Sequence, residues 1–256
     1  MTSQIKAIIK NVLCNDGTGW VLTKIFGQSI PDIRWKGFRF QLPRAGVSNT
    51  NKAAIFWGFY ESAEIRFIQK YLRGNLDVVE MGGSLGIVSA HIVSKLNPGR
   101  KIVTVEANPF LIDNINANLK KFAKEGTGYK TINCAIQYSV SEIALNISAD
   151  NTESSVERIE YKKPGAVMVQ AITLSTIIKK ENLYDFSLVC DIEGSEIGII
   201  LLDKESLRQC KELFIELHDT EYEGKGYTPN EILNKLVTEH RFKLIDRHGP
   251  VCYLQK

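Results

Sequence analysis

The stretch Leu76-Asp77-Val78-Val79-Glu80-Met81-Gly82-Gly83-Ser84-Leu85-Gly86 decides the fold. Leu76, Val78 and Val79 form a short apolar run that ends at an acid, and three glycines come next, before the pattern changes period. From there Ile87, Val88, Ile92 and Val93, with Leu85 and Leu96 at the ends, fall near the 3.6-residue spacing of a helix that Asn97-Pro98-Gly99 stops. This is a buried strand, a tight turn and a helix N-terminus, an arrangement that brings backbone close to a ligand.

A second β-rich run, Lys101-Ile102-Val103-Thr104-Val105-Glu106, also ends in a carboxylate and leads through Ala107-Asn108-Pro109 into a new helical pattern. An acid at the tip of the second strand of a βαβ unit can accept hydrogen bonds from both hydroxyls of a ribose. Turn and acid therefore describe one nucleoside pocket. Glu80, just before Met81-Gly82-Gly83, would repel the pyrophosphate of a dinucleotide. It suits a cationic ligand without phosphate, such as the ammonium and sulfonium of S-adenosylmethionine.

Composition sets outer limits. The 256 residues are 44% hydrophobic and 24% charged, as in an ordinary globular protein rather than a disordered one. The net charge is +3 and the lysine pairs 120–121, 162–163 and 179–180 are scattered, so nucleic acid is not the expected partner. Five widely spaced cysteines with no C-x-x-C pair predict neither a zinc site nor a disulfide framework, and a reducing compartment. No run reaches the roughly eighteen apolar residues of a membrane helix, and no apolar core succeeds the N-terminal charges, so the expected location is the cytoplasm.

Residues 1–60 differ in pattern from the remainder of the chain and are read as an N-terminal helical and β extension, a lid or edge. Ile5, Ile8, Ile9, Val12 and Leu13 share a helix face, and residues 35–43 alternate as a strand does. Residues 61–256 form the main domain. Helices are expected over 61–72 and 110–122, a third strand over 129–136, and then a β-rich insertion, 141–172. Its runs at 144–147, 156–159 and 167–169 predict a small antiparallel flap of the kind that shapes substrate sites. A fourth strand, 186–191, ends at Asp191, and a fifth, 213–217, ends at His218-Asp219. After a helix over 229–236, the runs 242–246 and 251–254 are joined by a turn too short for a crossover helix, so they pair as an antiparallel hairpin. The expected fold is α/β: a doubly wound, Rossmann-like sheet that ends in an antiparallel hairpin, the layout of class I methyltransferases.

The motifs Glu80-x-Gly82-Gly83-x-x-Gly86, Glu106-x-Asn108-Pro109, Cys134-Ala135-Ile136, Thr173-Leu174-x-x-Ile177-Ile178, Asp191-x-Glu193-Gly194-x-Glu196 and Ile215-Glu216-x-His218 occur in that order. In this the chain resembles the FkbM-type S-adenosylmethionine-dependent methyltransferases over about residues 58–217. The resemblance implies S-adenosyl-L-methionine as donor, S-adenosyl-L-homocysteine as product, and O-methylation of a sugar or natural product. It places Glu80, Gly82, Gly83, Gly86, Glu106, Asn108, Ala135 and Asp191 at the cofactor, with Glu61 of Gly58-Phe59-Tyr60-Glu61 bordering the same pocket. The turn Glu80-Met81-Gly82-Gly83-Ser84 departs from the family's usual acid-x-Gly-Ala-Asn and changes one polar side chain near the methionine part.

Parallel strands send their carboxyl ends to one crevice, so neighbouring fourth and fifth strands would bring Asp191 and His218 to one site, with Glu193, Glu216 and Asp219 close by. A sugar hydroxyl needs a general base or a metal ion to lower its pKa. In one mechanism His218 or Asp191 takes the proton, with Glu193 beside them. In the other, Asp191, Glu193 and His218 hold a divalent ion such as Mg²⁺. The metal-free version is preferred. The plainer readings are that Glu193 and Glu196 cap the next helix and pair with lysines, and that Glu61 complements a helix dipole. His91 and His240 are read as structural. The alternative functions are methylation of a non-sugar acceptor and non-catalytic binding of S-adenosylmethionine.

Overall fold

A computed structural model describes residues 3–147, 155–157 and 165–256 of the chain. Among these residues the main sheet has seven strands: β1 (Asp77–Met81), β2 (Lys101–Glu106), β3 (Gly128–Asn133), β4 (Phe186–Cys190), β5 (Cys210–Glu216), β6 (Lys243–His248) and β7 (Val251–Gln255). Their spatial order is β3-β2-β1-β4-β5-β7-β6. All neighbours are parallel except β7, which runs antiparallel to both β5 and β6. This is the expected doubly wound sheet, closed by its C-terminal hairpin.

Strand periodicity distributes the core. Val78, Ile102, Val189, Phe214 and Tyr253 face one layer, with the helices Ser62–Tyr71, Ile87–Lys95 and Ile112–Phe122. Their neighbours Val79, Met81, Val103, Leu188 and Cys252 face the other, with Leu174–Glu181, Glu196–Leu202 and Pro229–Thr238. The sheet is covered on both faces, so its central strands are buried from Val78 to Met81 and from Phe186 to Cys190. Strand order reverses between β1 and β4, and a crevice at the carboxyl ends opens at that point.

The N-terminal segment shares this core. Ile30, Phe40, Leu42, Val47 and Ile55 pack with Ile65, Phe67 and Ile68 in a single apolar cluster. Asn118 ties the segment down: Gln41 donates its backbone N–H to Asn118 Oδ1 at 2.8 Å, and Asn118 Nδ2 donates to Gln41 O at 2.9 Å and to Leu85 O at 2.9 Å. The glycine turn and the N-terminal strand are thereby fastened to one side chain.

Several expectations shift. Only Arg39–Gln41 of the 35–43 run is a strand, paired with Ser29–Pro31. Before it the chain turns, because the Asp32 carboxylate accepts the Arg34 and Trp35 N–H groups at 2.8 and 3.0 Å. The third strand ends at Asn133, since the Cys134 N–H turns to the Glu106 carbonyl at 3.2 Å where β2 itself ends. Ala135–Ile136 then joins a second sheet with Val167–Ile172, Glu142–Asn146 and Ser155–Glu157. The last three pair antiparallel, as expected of the flap. Residues 158–159 of the expected 156–159 run lie outside the described residues. A helix at Asn49–Phe56, capped by Ser48, and a small hairpin, Thr220–Tyr222 with Lys225–Tyr227, carried no clear pattern in the sequence.

Candidate donor and acceptor cleft

Gly82 shapes the floor of the crevice. Its φ is +90°, its N–H donates to Val105 O at 2.9 Å, and a Cβ placed on it would lie 1.8 Å from the Asp191 carbonyl oxygen. Only glycine lets β1 and β4 meet this closely. Gly83 and Gly86 serve packing instead. Added Cβ atoms there would meet Thr104 Cγ2 at 2.6 Å and Ile115 Cα at 2.8 Å.

The cleft that opens from this point has a volume of about 1250 Å³. Of the residues expected at the cofactor, Gly82, Glu106, Ala135, Asp191 and Glu61 line it, while Glu80, Gly83, Gly86 and Asn108 are not in its wall. Glu80 lies within the paired part of β1, opposite Thr104, rather than past its end. It is 1% exposed, and its Oε2 accepts from Ser89 Oγ at 2.6 Å and Thr104 Oγ1 at 2.7 Å. Burial pushes its pKa up to about 7. The charge that sequence alone assigns to the rim is therefore folded into the layer behind it. Asn108 works locally, its Oδ1 accepting the Phe110 N–H at 3.0 Å.

Glu106 stands at the wall, past the end of β1. Its Oε2 accepts the Ser84 N–H at 2.8 Å and its Oε1 the Asn108 N–H at 2.7 Å. Both carboxyl oxygens are pinned by backbone, and the N–H groups of Ala107 and Gly83 also act on the carboxylate. Burial raises its pKa against the pull of those N–H groups. A Glu106→Gln change would aim an amide N–H₂ at one of those backbone donors. Affinity for S-adenosylhomocysteine should fall about ten- to a hundredfold by calorimetry. Unchanged affinity would remove Glu106 from the ribose site.

Part of the cleft wall is acidic. Glu61, Glu64, Asp191, Glu193, Glu216 and Glu221 line it. β4 and β5 are parallel neighbours, which brings Asp191 together with Glu216 and His218. His218 is not itself in the wall. Its Nδ1 contacts Glu196 Oε1 at 3.1 Å, and its Nε2 faces Glu193, Asp191 and Glu216 at 3.5, 3.9 and 3.9 Å. The bond to Glu196, together with the charges of Glu196, Asp191 and Glu193, raises the His218 pKa to about 9. Burial first, then Glu61, Glu216 and Glu193, raises that of Asp191 to about 8. Asp191 Oδ1 is buried without a hydrogen-bond partner among the described residues. Asp219, expected nearby, is not part of the cleft wall.

Glu196 neither points to solvent nor meets a lysine. Fully buried, it accepts the Ile192 N–H at 3.1 Å as well as the imidazole. Glu193 is different, its side chain 72% exposed at the mouth. Glu61 makes no side-chain cap on the helix Ser62–Tyr71. Glu61, Ser84 and Glu193 all have left-handed backbone, at φ 44°, 43° and 51°, and all three line the cleft. Strain of this kind gathers where side chains must be held for a ligand.

Glu64, Lys10 and the role of Glu196 were missed from the sequence. Glu64 carried a signal: it lies four residues before Ile68, on the buried stripe of its helix, where an acid is out of place. His91 is structural, stacked on Phe38 at 3.9 Å and accepting from Gln69 Nε2 at 2.9 Å, and burial lowers its pKa to about 3. His240 Nε2 lies 2.9 Å from Ile200 O.

The wall combines a backbone-anchored carboxylate, Glu106, a glycine floor, the apolar Ala135, Ile136, Ile143 and Leu145, and a group of acids, a set of groups compatible with S-adenosylmethionine. For a divalent ion, two groups among the described residues bring ligand atoms within 4.8 Å of one another: Asp191, Glu196 and His218, and Glu61, Glu64 and Asp191. Glu193 belongs to neither, so the expected trio of Asp191, Glu193 and His218 does not recur as such. Among the described residues, no helix is long and apolar enough to cross a membrane.

The family model for the methyltransferase FkbM domain matches residues 83–244, more than half of the chain. Among solved structures, the chain is similar to magnesium protoporphyrin IX methyltransferase (ChlM) from Synechocystis PCC 6803 with bound S-adenosylhomocysteine. Identity is 8%, 97% of each chain is covered, and the TM-score is 0.43. It is also similar to M. capricolum TrmK in complex with S-adenosylhomocysteine, at 12% identity, 75% coverage of this chain and TM-score 0.39, and it spans 65% of that chain's length. A comparison with curated proteins returns no match. On the family match, this chain belongs to the FkbM methyltransferase domain family.

Proposed function

We propose that the protein O-methylates a hydroxyl of a sugar or glycan precursor, with Asp191 as the base that takes the hydroxyl proton. The observation that carries this is Asp191 Oδ1, a buried acceptor with no hydrogen-bond partner among the described residues and only the His218 imidazole facing it at 3.9 Å, on a residue that lines the cleft. When bound, S-adenosylmethionine supplies a methyl already activated on a sulfonium. The chain must therefore align an acceptor oxygen and control its proton. A carboxyl group raised to about 8 is, in its carboxylate form, a better base for an alcohol than an ordinary carboxylate.

Glu196 and His218 act on that base from behind. The buried Glu196 fixes the imidazole through Nδ1, so that Nε2 brings positive charge toward Asp191, Glu193 and Glu216. With that charge supplied by the chain, the carboxylates are held together without a metal ion. Thr220, Glu221 and Gln137 add hydroxyl-reading groups to the acceptor end.

The test is a screen of sugar, amine and carboxylic acid acceptors with labelled S-adenosylmethionine, the product identified by mass spectrometry and NMR. A methyl ether on a sugar is expected. An N-methyl or methyl ester product would show that the acceptor class is wrong.

A further inference from the structure

The acidic part of the cleft wall contains one acid that neither the proposed base nor its partners use. Glu64, the third residue of the helix Ser62–Tyr71, is only 6% exposed, lines the cleft and makes no hydrogen bond among the described residues. Burial, then the charges of Asp191, Glu61, Glu80 and Glu216, raise its pKa well above the usual range. A carboxylate in this position is costly to keep unless a ligand supplies its partner.

Glu64 does not stand alone. One of its oxygens lies within 4.8 Å of oxygens on both Glu61 and Asp191. An ammonium has three N–H donors, and three acceptors each about 2.8 Å from one nitrogen sit roughly 4.6 Å apart. Two cations act on Glu61, His218 from behind the wall and Lys10. Among the described residues, Lys10 is the one lysine or arginine in the cleft wall, and its charge acts on Glu61. Carboxylates beside a lone lysine are the complement of a zwitterion, an ammonium and a carboxylate on one carbon.

We infer that Glu64 and Glu61 take the ammonium of the donor's methionine end and that Lys10 faces its carboxylate. Asp191 stands at the third corner of the tripod, between this end and the acceptor. The inference rests on the proposed donor site and adds the residues that read its amino-acid end. In this arrangement the nucleoside half is held by Glu106 and the amino-acid half by Glu64, Glu61 and Lys10. The site thereby selects the whole donor over a truncated nucleoside.

The experiment is calorimetry with two ligands, S-adenosylhomocysteine and 5′-methylthioadenosine, which keeps the nucleoside and lacks the amino acid. With Glu64→Gln, affinity for S-adenosylhomocysteine should fall about ten- to a hundredfold while 5′-methylthioadenosine changes less than about threefold. Lys10→Met, on an exposed helix position, should show the same selective loss and guards against a folding defect at Glu64. Equal losses for both ligands, or no loss, would overturn the inference. So would Mn²⁺ bound tightly by the ligand-free protein and lost in Glu64→Gln, which would make the tripod a metal site. If wild-type protein bound neither nucleoside, the donor site itself would be wrong.

Discussion

Asp191→Asn is expected to lower kcat about 10²- to 10⁴-fold at saturating donor, the range lost when a positioned general base is removed. Asparagine keeps the shape and cannot accept the proton. In the wild type, kcat/KM for the donor, which reports the ligand-free enzyme, should rise with pH through about 8, because the carboxylate form is the base and Asp191 is raised to about 8. That limb should vanish in the variant. A variant with full turnover and the same limb would move the base elsewhere.

Stability gives an independent check on the same group. Asp191, Glu61, Glu64 and Glu216 have folded pKa values raised above their unfolded ones, so the native state binds more protons than the unfolded chain above about pH 4. Each costs stability as pH rises through its folded pKa. His218 acts in the same direction: its stabilisation is complete below about 6.5 and is lost as pH rises through about 9. The ligand-free protein should therefore melt at lower temperature at pH 9 than at pH 5. Asp191→Asn should flatten part of that slope. A variant that loses activity and gains stability at pH 8 would separate catalysis from folding.

Gly82→Ala should cost about 2–5 kcal/mol, combining the strain of a side chain at φ +90° with overpacking. The new methyl would lie 1.8 Å from the Asp191 carbonyl oxygen, a backbone atom that can retreat only by parting β1 from β4. Binding of S-adenosylhomocysteine should fall with it, because the cleft floor is made at that contact. Gly99→Ala is the control. Gly99 also has positive φ, at 83°, but no atom lies within 4 Å of its added Cβ. It should show only the backbone cost of about 1 kcal/mol. Urea unfolding of both variants measures the difference, and equal losses would mean that the β1–β4 contact is not tight.

Much of this architecture was legible in local pattern. The run from Leu76 to Gly86 and the acid Glu106 announced a βαβ nucleoside site, and the short turn after Asp246 announced the closing hairpin. The strand pattern put Asp191 and His218 just past the ends of two neighbouring strands, and there His218 Nε2 is 3.9 Å from Asp191 Oδ1. The motif order could not say how deep each acid sits. Glu80 and Glu106 both end apolar runs, yet Glu80 is paired opposite Thr104 inside the sheet and Glu106 stands past the end of β1 against Ser84. One acid became part of the core and the other part of the wall. In the same way Glu196, read as a cap, turned inward to His218, a residue 22 positions away.

The sequence by itself determined the order and type of the main-sheet elements and the position of the crossover turn. Those arise from periodicities and turn residues that act over a few positions of chain. Only the tertiary structure decided which acids meet: Glu61 and Glu64 from the helix before β1, Asp191 from the end of β4, and Glu216 from the end of β5. Their shared charge is a property of sheet register and of the angle at which one helix packs. Strand periodicity specifies that a residue is buried or exposed, and it carries no information on what lies across the gap.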